Sequence, residues 1–363
     1  KRELLLRRLF IYFATTPLYI GEFLSNSLNS ISVQGDCLLY TDAIVVKNQE
    51  GKRMNYGLAL SGGGTKGAVH VGVLKALEEK KMMPDAVAGT SSGSIVAGCL
   101  AAGMPVSALE EEVRYLSRNG RRFLDPDYWG MLRLLPQLAK GRPASMKGLL
   151  KGEKLLGHLC RITKGAKLED AQIGILIPAV DLYSGRTVVY TNLMERYGRK
   201  KDTIKVAGEQ IIWEDTGMLC QIMMASSSFP AIFRPRNLDG RLLADGGITY
   251  NLPVDLLSAA GVKTVMGADV GKSLELNDTS SMLDEIFRSF SIRGESLERC
   301  HSQRDRLILR PEMEKRGGLL DFSIMEPAME AGYEYTLARI PAIRKKLKEN
   351  SKKTEPFVST MSL

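Results

Sequence analysis

The stretch "DAVAGTSSGSIVAGCLAAGMP", Asp85–Pro105, sets an apolar run, a glycine-bounded turn and a helix-forming segment in immediate succession. "DAVAG" reads as a buried strand, too short and too small in side chains to be a helix of its own. Ser92–Ala102 reads as a helix that stops at Gly103-Met104-Pro105, where glycine and proline end it. Between the two lies "GTSSG", Gly89–Gly93, a G-x-S-x-G pattern centred on Ser91. In a strand–turn–helix context that pattern lifts a serine hydroxyl onto the tip of a sharp turn. The positive end of the following helix then points at it.

The same unit occurs once before. "YGLALS" reads as a strand and Gly67–Lys80 as a helix with Val71, Leu74 and Leu77 on one face; "GGGTKG", Gly62–Gly67, joins them. Strand, glycine turn and helix thus occur twice within about fifty residues, which argues an α/β fold with parallel strands joined by a right-handed crossover. The loop itself fits two chemistries. Gly62-x-Gly64-x-x-Gly67 satisfies a dinucleotide-binding fingerprint. It equally suits an oxyanion loop, in which glycine N–H groups face a charge that exists only during reaction. A phosphate-binding P-loop is excluded, because the Lys-Ser/Thr pair is missing at the far end. The serine elbow decides between the two. A dinucleotide fold has no use for it and wants an acidic residue where Gly89 stands.

A nucleophilic serine needs a base. Histidine is scarce: His70 lies on the stripe of Leu74 and Leu77, while His158 and His301 neighbour no turn that would present them. "LLADGG" offers a better group, placing Asp245 at the end of an apolar strand with Gly246 and Gly247 behind it.

Taken together, Gly62-Gly63-Gly64-Thr65-Lys66-Gly67, Gly89-Thr90-Ser91-Ser92-Gly93 and Asp245-Gly246-Gly247 resemble the three signatures of the patatin-like phospholipase family. "ASSSFPAIFRP" and "DGGITYNLPV" are similar to family sequence around the aspartate, and the resemblance spans about Met54–Val270. It implies a three-layer α/β/α sandwich with a mainly parallel central sheet. It also implies a Ser91–Asp245 dyad without histidine, metal or cofactor, and an oxyanion hole from the backbone N–H groups of Gly62, Gly63 and Gly64. Lys66 takes the family's basic position, where it would brace the loop or attract anionic head groups. The expected activity is hydrolysis of fatty-acyl esters in lipids or phospholipids. A short-chain esterase or thioesterase on the same fold is the alternative.

Three regions are expected: an N-terminal extension over 1–53, a catalytic domain over 54–270, and a mainly helical C-terminal region with a basic tail over 271–363. Met54 stands directly before the first strand, and "QEGKR" could be encoded by a ribosome-binding sequence. A functional start at Met54 and an ordinary N-terminal arm both fit. Residues 107–165 read as helical, with a Pro/Gly-rich break near 141–148. Within them "YWGMLRLLPQLAKG" and "MKGLLKGEKLLGHL" could line an acyl groove or form a lid, or be ordinary helices.

Lys and Arg outnumber Asp and Glu 50 to 41, a formal net charge of +9. That suits peripheral contact with an anionic membrane surface; no nucleic-acid partner is expected. The five cysteines are scattered without a CxxC pair. The expectation is therefore no disulfide framework or zinc site, and a reducing, cytoplasmic setting.

Overall fold

Strand β1, Gly57–Leu60, lies at the centre of a nine-stranded sheet, with β2 (Ala86–Gly89) on one side and β8 (Val265–Ala268) on the other, both parallel to it. The computed structural model describes residues 56–132, 147–199, 204–206, 209–270, 285–286, 288–290, 292–294, 307–313 and 318–353. All of them belong to the unit Gly51–Leu363. The expected extension over 1–53, the distal basic tail and most of residues 271–306 lie outside the described residues.

Along the sheet the order is β9-β8-β1-β2-β3-β4-β5, where β3 is Gly174–Asp181, β4 Thr187–Thr191, β5 Ile212–Glu214 and β9 Leu307–Leu309. The hairpin β6 (Arg236–Leu238) and β7 (Arg241–Asp245) joins through β7, which pairs antiparallel with the far half of β3. One register decides where the site forms. β2 runs parallel beside Gly174–Leu176, and β7 arrives antiparallel beside Ala179–Asp181. The C-terminal ends of β2 and β7 therefore meet head-on along β3, bringing the turn after Gly89 to Asp245.

Both faces of the sheet are covered. Leu58, Leu60, Val87, Ile175 and Ile177 pack on one side against α1 (Ala68–Glu79), α2 (Ser92–Ala101), α3 (Val106–Asn119), α4 (Glu153–Ile162), α5 (Leu219–Ser226) and α7 (Met325–Lys353). The alternate side chains Ala59, Ala86, Ala88 and Leu176 pack on the other against Leu256 and Leu257 of α6 (Val254–Ala259). This period-two division of each strand between two cores makes the expected three-layer α/β/α sandwich with a mostly parallel sheet.

The helical reading of 107–165 holds over α3, residues 128–132 and α4, and gives way at the joints between them. After α3 a 3-10 turn, Gly120–Phe123, leads into irregular chain. Pro126 bridges Leu150, and Leu150 in turn bridges Phe233. Pro126 and two Gly residues, 148 and 152, interrupt the helical periodicity there, and backbone pairing replaces it. The cysteine expectation is corrected: Cys160 of α4 and Cys220 of α5 form a disulfide with their Cα atoms 4.9 Å apart. Sixty residues separate them in sequence; the packing of α4 on α5 joins them, which spacing along the chain cannot reveal.

The C-terminal region closes the sheet rather than hanging from it. β9 pairs parallel with β8, Met266 opposite Leu307 and Ala268 opposite Leu309. Helix α7 crosses α1 at backbone contact: a Cβ on Gly72 would lie 1.9 Å from the Met329 carbonyl oxygen, and one on Gly332 2.2 Å from that of Val69.

Candidate active site

Ser91 sits where β2 ends and α2 begins, with φ 52° and ψ −123°. An L-residue rarely adopts positive φ, and the strain persists only because neighbours over-determine it. Each backbone group on either side is held. The Ser91 N–H donates to Ser226 Oγ at 3.1 Å, and the Ser94 hydroxyl donates to the Ser91 carbonyl at 2.6 Å. Thr90 donates its N–H to Leu60 O at 3.1 Å and its hydroxyl to Tyr250 O at 2.7 Å. The two glycines of the motif allow the close turn. A Cβ on Gly89 would lie 2.1 Å from Gly93 O, and one on Gly93 2.5 Å from Leu60 O.

Asp245 ends β7 with its side chain 1% exposed. Its N–H donates to Ser228 O at 3.0 Å, and its Oδ1 accepts the Gly247 N–H at 2.7 Å. Gly246 has no room for a side chain, since a Cβ would lie 2.3 Å from Pro178 O. Burial pushes the Asp245 carboxyl up from 3.8 to about 7, against the opposing pull of the Gly247 N–H and the Ser91 hydroxyl. The hydroxyl is near enough to favour the charged form, while Oδ2 stays buried without a hydrogen bond of full geometry. Near neutral pH this carboxylate is therefore poised between its two states.

The glycine loop lies against the same turn. A Cβ on Gly67 would meet Ser92 Oγ at 2.5 Å, and one on Gly62 would meet Ser91 Cβ at 3.1 Å. Its three leading glycines differ. Gly62 is buried and donates its N–H to Asn251 O at 3.1 Å, so that donor is already engaged. Gly63 and Gly64 are partly exposed, and Gly64 takes a φ of 60°. Leu319, far downstream, accepts the Thr65 N–H at 3.0 Å and clamps the loop. Lys66 is half-buried in the 3-10 turn Gly64–Gly67.

None of the described histidines faces this carboxylate as a partner. His70 is fully buried, bonds Ser61 O through Nε2 at 2.8 Å, and burial lowers its pKa to about 4, so it is neutral. His158 contacts Glu112 at 2.5 Å and stacks between Tyr115 and Phe123. Among the described residues no group of His, Cys, Asp and Glu is arranged to hold a metal ion.

Ser226, Ser228, Tyr250, Asn251 and Leu319 are the contributors that sequence reading passed over. The serine run "SSS" at 226–228 was the available signal. It begins at the last residue of α5, and its first and last members tie down the backbones of Ser91 and Asp245.

Elbow serine, glycine loop and strand-end carboxylate thus meet where the C-terminal ends of β2 and β7 face each other in a mostly parallel α/β/α sandwich. The sequence matches the family model of patatin-like phospholipases over residues 58–258, and the chain belongs to that family. An uncharacterized NTE family protein of Mycobacterium tuberculosis is 28% identical over 241 residues, 64% of this chain and 56% of that protein. Patatin-like phospholipase domain-containing protein 6 of Homo sapiens is 28% identical over 230 residues, 63% of this chain but 14% of the human protein. The chain thus spans little more than half of the first relative and a small part of the second. Among solved structures, human GIVD cytosolic phospholipase A2 with a fluorophosphonate inhibitor aligns with a TM-score of 0.44 at 14% identity, covering 82% of this chain and 60% of that one.

Proposed function

We propose that the chain is a serine acyl hydrolase acting on fatty-acyl ester bonds of lipids or phospholipids, with Ser91 as nucleophile and Asp245 as base. The observation that carries the proposal is the Asp245 carboxyl, buried and shifted to about 7, beside a serine on a strained elbow. A carboxylate of ordinary pKa is too weak a base to deprotonate a hydroxyl; one near neutrality is matched to the task.

Asp245 takes the proton from Ser91 Oγ as the oxygen attacks the ester carbonyl carbon. The tetrahedral oxyanion is met by backbone N–H groups, and those of Gly63 and Gly64 are the suitable donors because that of Gly62 is spent on Asn251. Collapse breaks the bond to the alcohol, which leaves with the proton held by Asp245. Water then gives a proton to the same carboxylate and attacks the acyl-enzyme, releasing fatty acid and restoring Ser91. Lys66, at the back of the loop, braces it or draws in an anionic head group.

Hydrolysis of defined phospholipids, lysophospholipids and short-chain esters, with products identified by mass spectrometry, tests the reading. Ser91→Ala and Asp245→Asn should each lower turnover by at least about a thousandfold. Full activity in either variant would overturn the dyad, and preference for soluble short-chain esters would overturn the lipid substrate.

A further inference from the structure

From Arg114 to Lys154 the described chain carries seven Lys or Arg against three Asp or Glu, and all three acids are already engaged. Asp125, buried, accepts the N–H groups of Gly152, Glu153 and Lys154 at 2.7, 2.8 and 3.2 Å and so caps α4. Asp127, 2% exposed, accepts the Gly130 N–H and pairs with Arg234, whose guanidinium holds its carboxyl below the usual range. Glu153 pairs with Arg236 at 2.6 Å. Arg114 pairs with Glu110 and Arg118 with Glu326, while Arg121, Arg122 and Lys147 leave positive charge exposed.

Asp127 opens a helical segment whose described residues are 128–132, and its apolar side chains face out. Tyr128 is 72% exposed, Trp129 70% and Leu132 58%, and with Met131 they line one shallow concavity. Side chains of this size are seldom left together in water, and a contiguous exposed group marks an interaction surface. The base of this segment is tied down by backbone hydrogen bonds. Asp127 N–H donates to Leu149 O at 2.8 Å, Leu149 N–H to Ala231 O at 3.0 Å, and Arg234 N–H to Leu150 O at 3.0 Å. The strip 231–234 follows directly on Ser226–Ser228, the run that holds the backbones of Ser91 and Asp245.

We infer that Tyr128, Trp129 and Leu132 form a membrane-docking surface that enters the interface of an anionic lipid bilayer, with Arg121, Arg122 and Lys147 meeting its head groups. Tyr and Trp are the side chains that favour the boundary between head groups and acyl chains. Leu supplies acyl-chain contact, and flanking cations select negative lipid. The inference shares the lipid reading of the proposed function but uses none of its catalytic residues.

Two tryptophans occur in the chain, and the other, Trp213, is 5% exposed. Emission from Trp129 therefore reports the surface directly. Using Ser91→Ala protein, vesicles of phosphatidylcholine mixed with phosphatidylserine should shift the emission to the blue and shield it from iodide. Phosphatidylcholine alone should do so weakly, and high salt should reverse the effect. Trp129→Ser combined with Leu132→Ser should lower vesicle co-sedimentation by about tenfold or more. Arg121→Glu with Arg122→Glu should lower it by about fivefold per charge removed. With Ser91 intact, both variants should hydrolyse a soluble monomeric ester as wild type does.

No spectral shift on anionic vesicles, or undiminished binding by the Trp129/Leu132 variant, overturns the inference. So does light scattering that finds a dimer which that variant alone dissolves, since the surface would then serve a second copy. Vesicle binding without any fatty-acid release would refute the hydrolase reading and leave this surface standing. Hydrolysis of soluble esters without vesicle binding would do the reverse.

Discussion

Asp245 holds its proton more tightly in the folded chain than in the unfolded one, and this has two consequences. Between 3.8 and about 7 the native state keeps a proton that the unfolded chain has released. Stability associated with this group is thus complete below 3.8 and is lost as pH rises through about 7, by at most about 4 kcal/mol. Asp245→Asn should therefore unfold at a higher temperature than wild type at pH 8, with the gap closing toward pH 4; calorimetry across that range would measure it. In the proposed mechanism the sign reverses, because the ionised form would act as the base: kcat/KM should rise with pH and level off above about 7. A profile flat across pH 5–8 would contradict the assignment. Ser226 gives a second prediction. Its hydroxyl accepts the N–H of the strained Ser91, so Ser226→Ala orphans a donor at a cost of about 1–3 kcal/mol. We expect kcat to fall about tenfold with KM unchanged, read from steady-state kinetics on a soluble ester. The meeting of the Ser91 elbow with Asp245 was legible in the sequence because each stands at a glycine turn directly after a short apolar strand. Ser226 was not, since any small hydroxyl at any matching distance could serve the same N–H.

At the scale of elements, strands and helices were readable where periodicity and glycine punctuation agree, as in Tyr56–Ala102. At Pro126 and Leu150 the chain trades helical bonds for isolated bridges to each other and to Phe233, which periodicity could not show, because those partners lie far apart in sequence. The C-terminal strand and helix, in a region expected to be mainly helical, had no place that could be read. A three-residue strand has no pattern that names its neighbour. Their contact with α1 yields a prediction, because it depends on two glycines facing opposite backbones, Gly72 toward Met329 and Gly332 toward Val69. Gly72→Leu should force α7 off α1 and destabilise the fold by about 3 kcal/mol or more. The sheet edge and the Leu319 clamp on the glycine loop depend on the same C-terminal region, so activity should fall with it. Gly157 serves as the control. A Cβ there meets nothing within 4 Å, and Gly157→Ala in α4 should stabilise by about 0.5–1 kcal/mol. Urea denaturation of the two variants would test both directions.

For the molecule as a whole, the Cys160–Cys220 bond revises the reading of the cysteines. Their scatter and odd number pointed to free thiols in a reducing setting, and a setting inferred on that basis no longer follows. The bond closes a loop of sixty residues that contains β3, β4 and β5. It joins α4, capped by Asp125, to α5, which carries Ser226 to the elbow. In the chain-entropy account, closing a loop of this length removes about 4 kcal/mol of unfolded-state freedom. Reduction should therefore lower the urea midpoint while leaving the native spectrum intact, and Cys160→Ser with Cys220→Ser should reproduce the shift without reductant. Thiol titration of the denatured chain should find two more thiols after reduction than before. Because α5 carries both the disulfide and Ser226, the reduced enzyme should also lose activity at a lower temperature than the oxidised one, before global unfolding. Identical unfolding curves with and without reductant would mean that helix packing alone sets the position of α5.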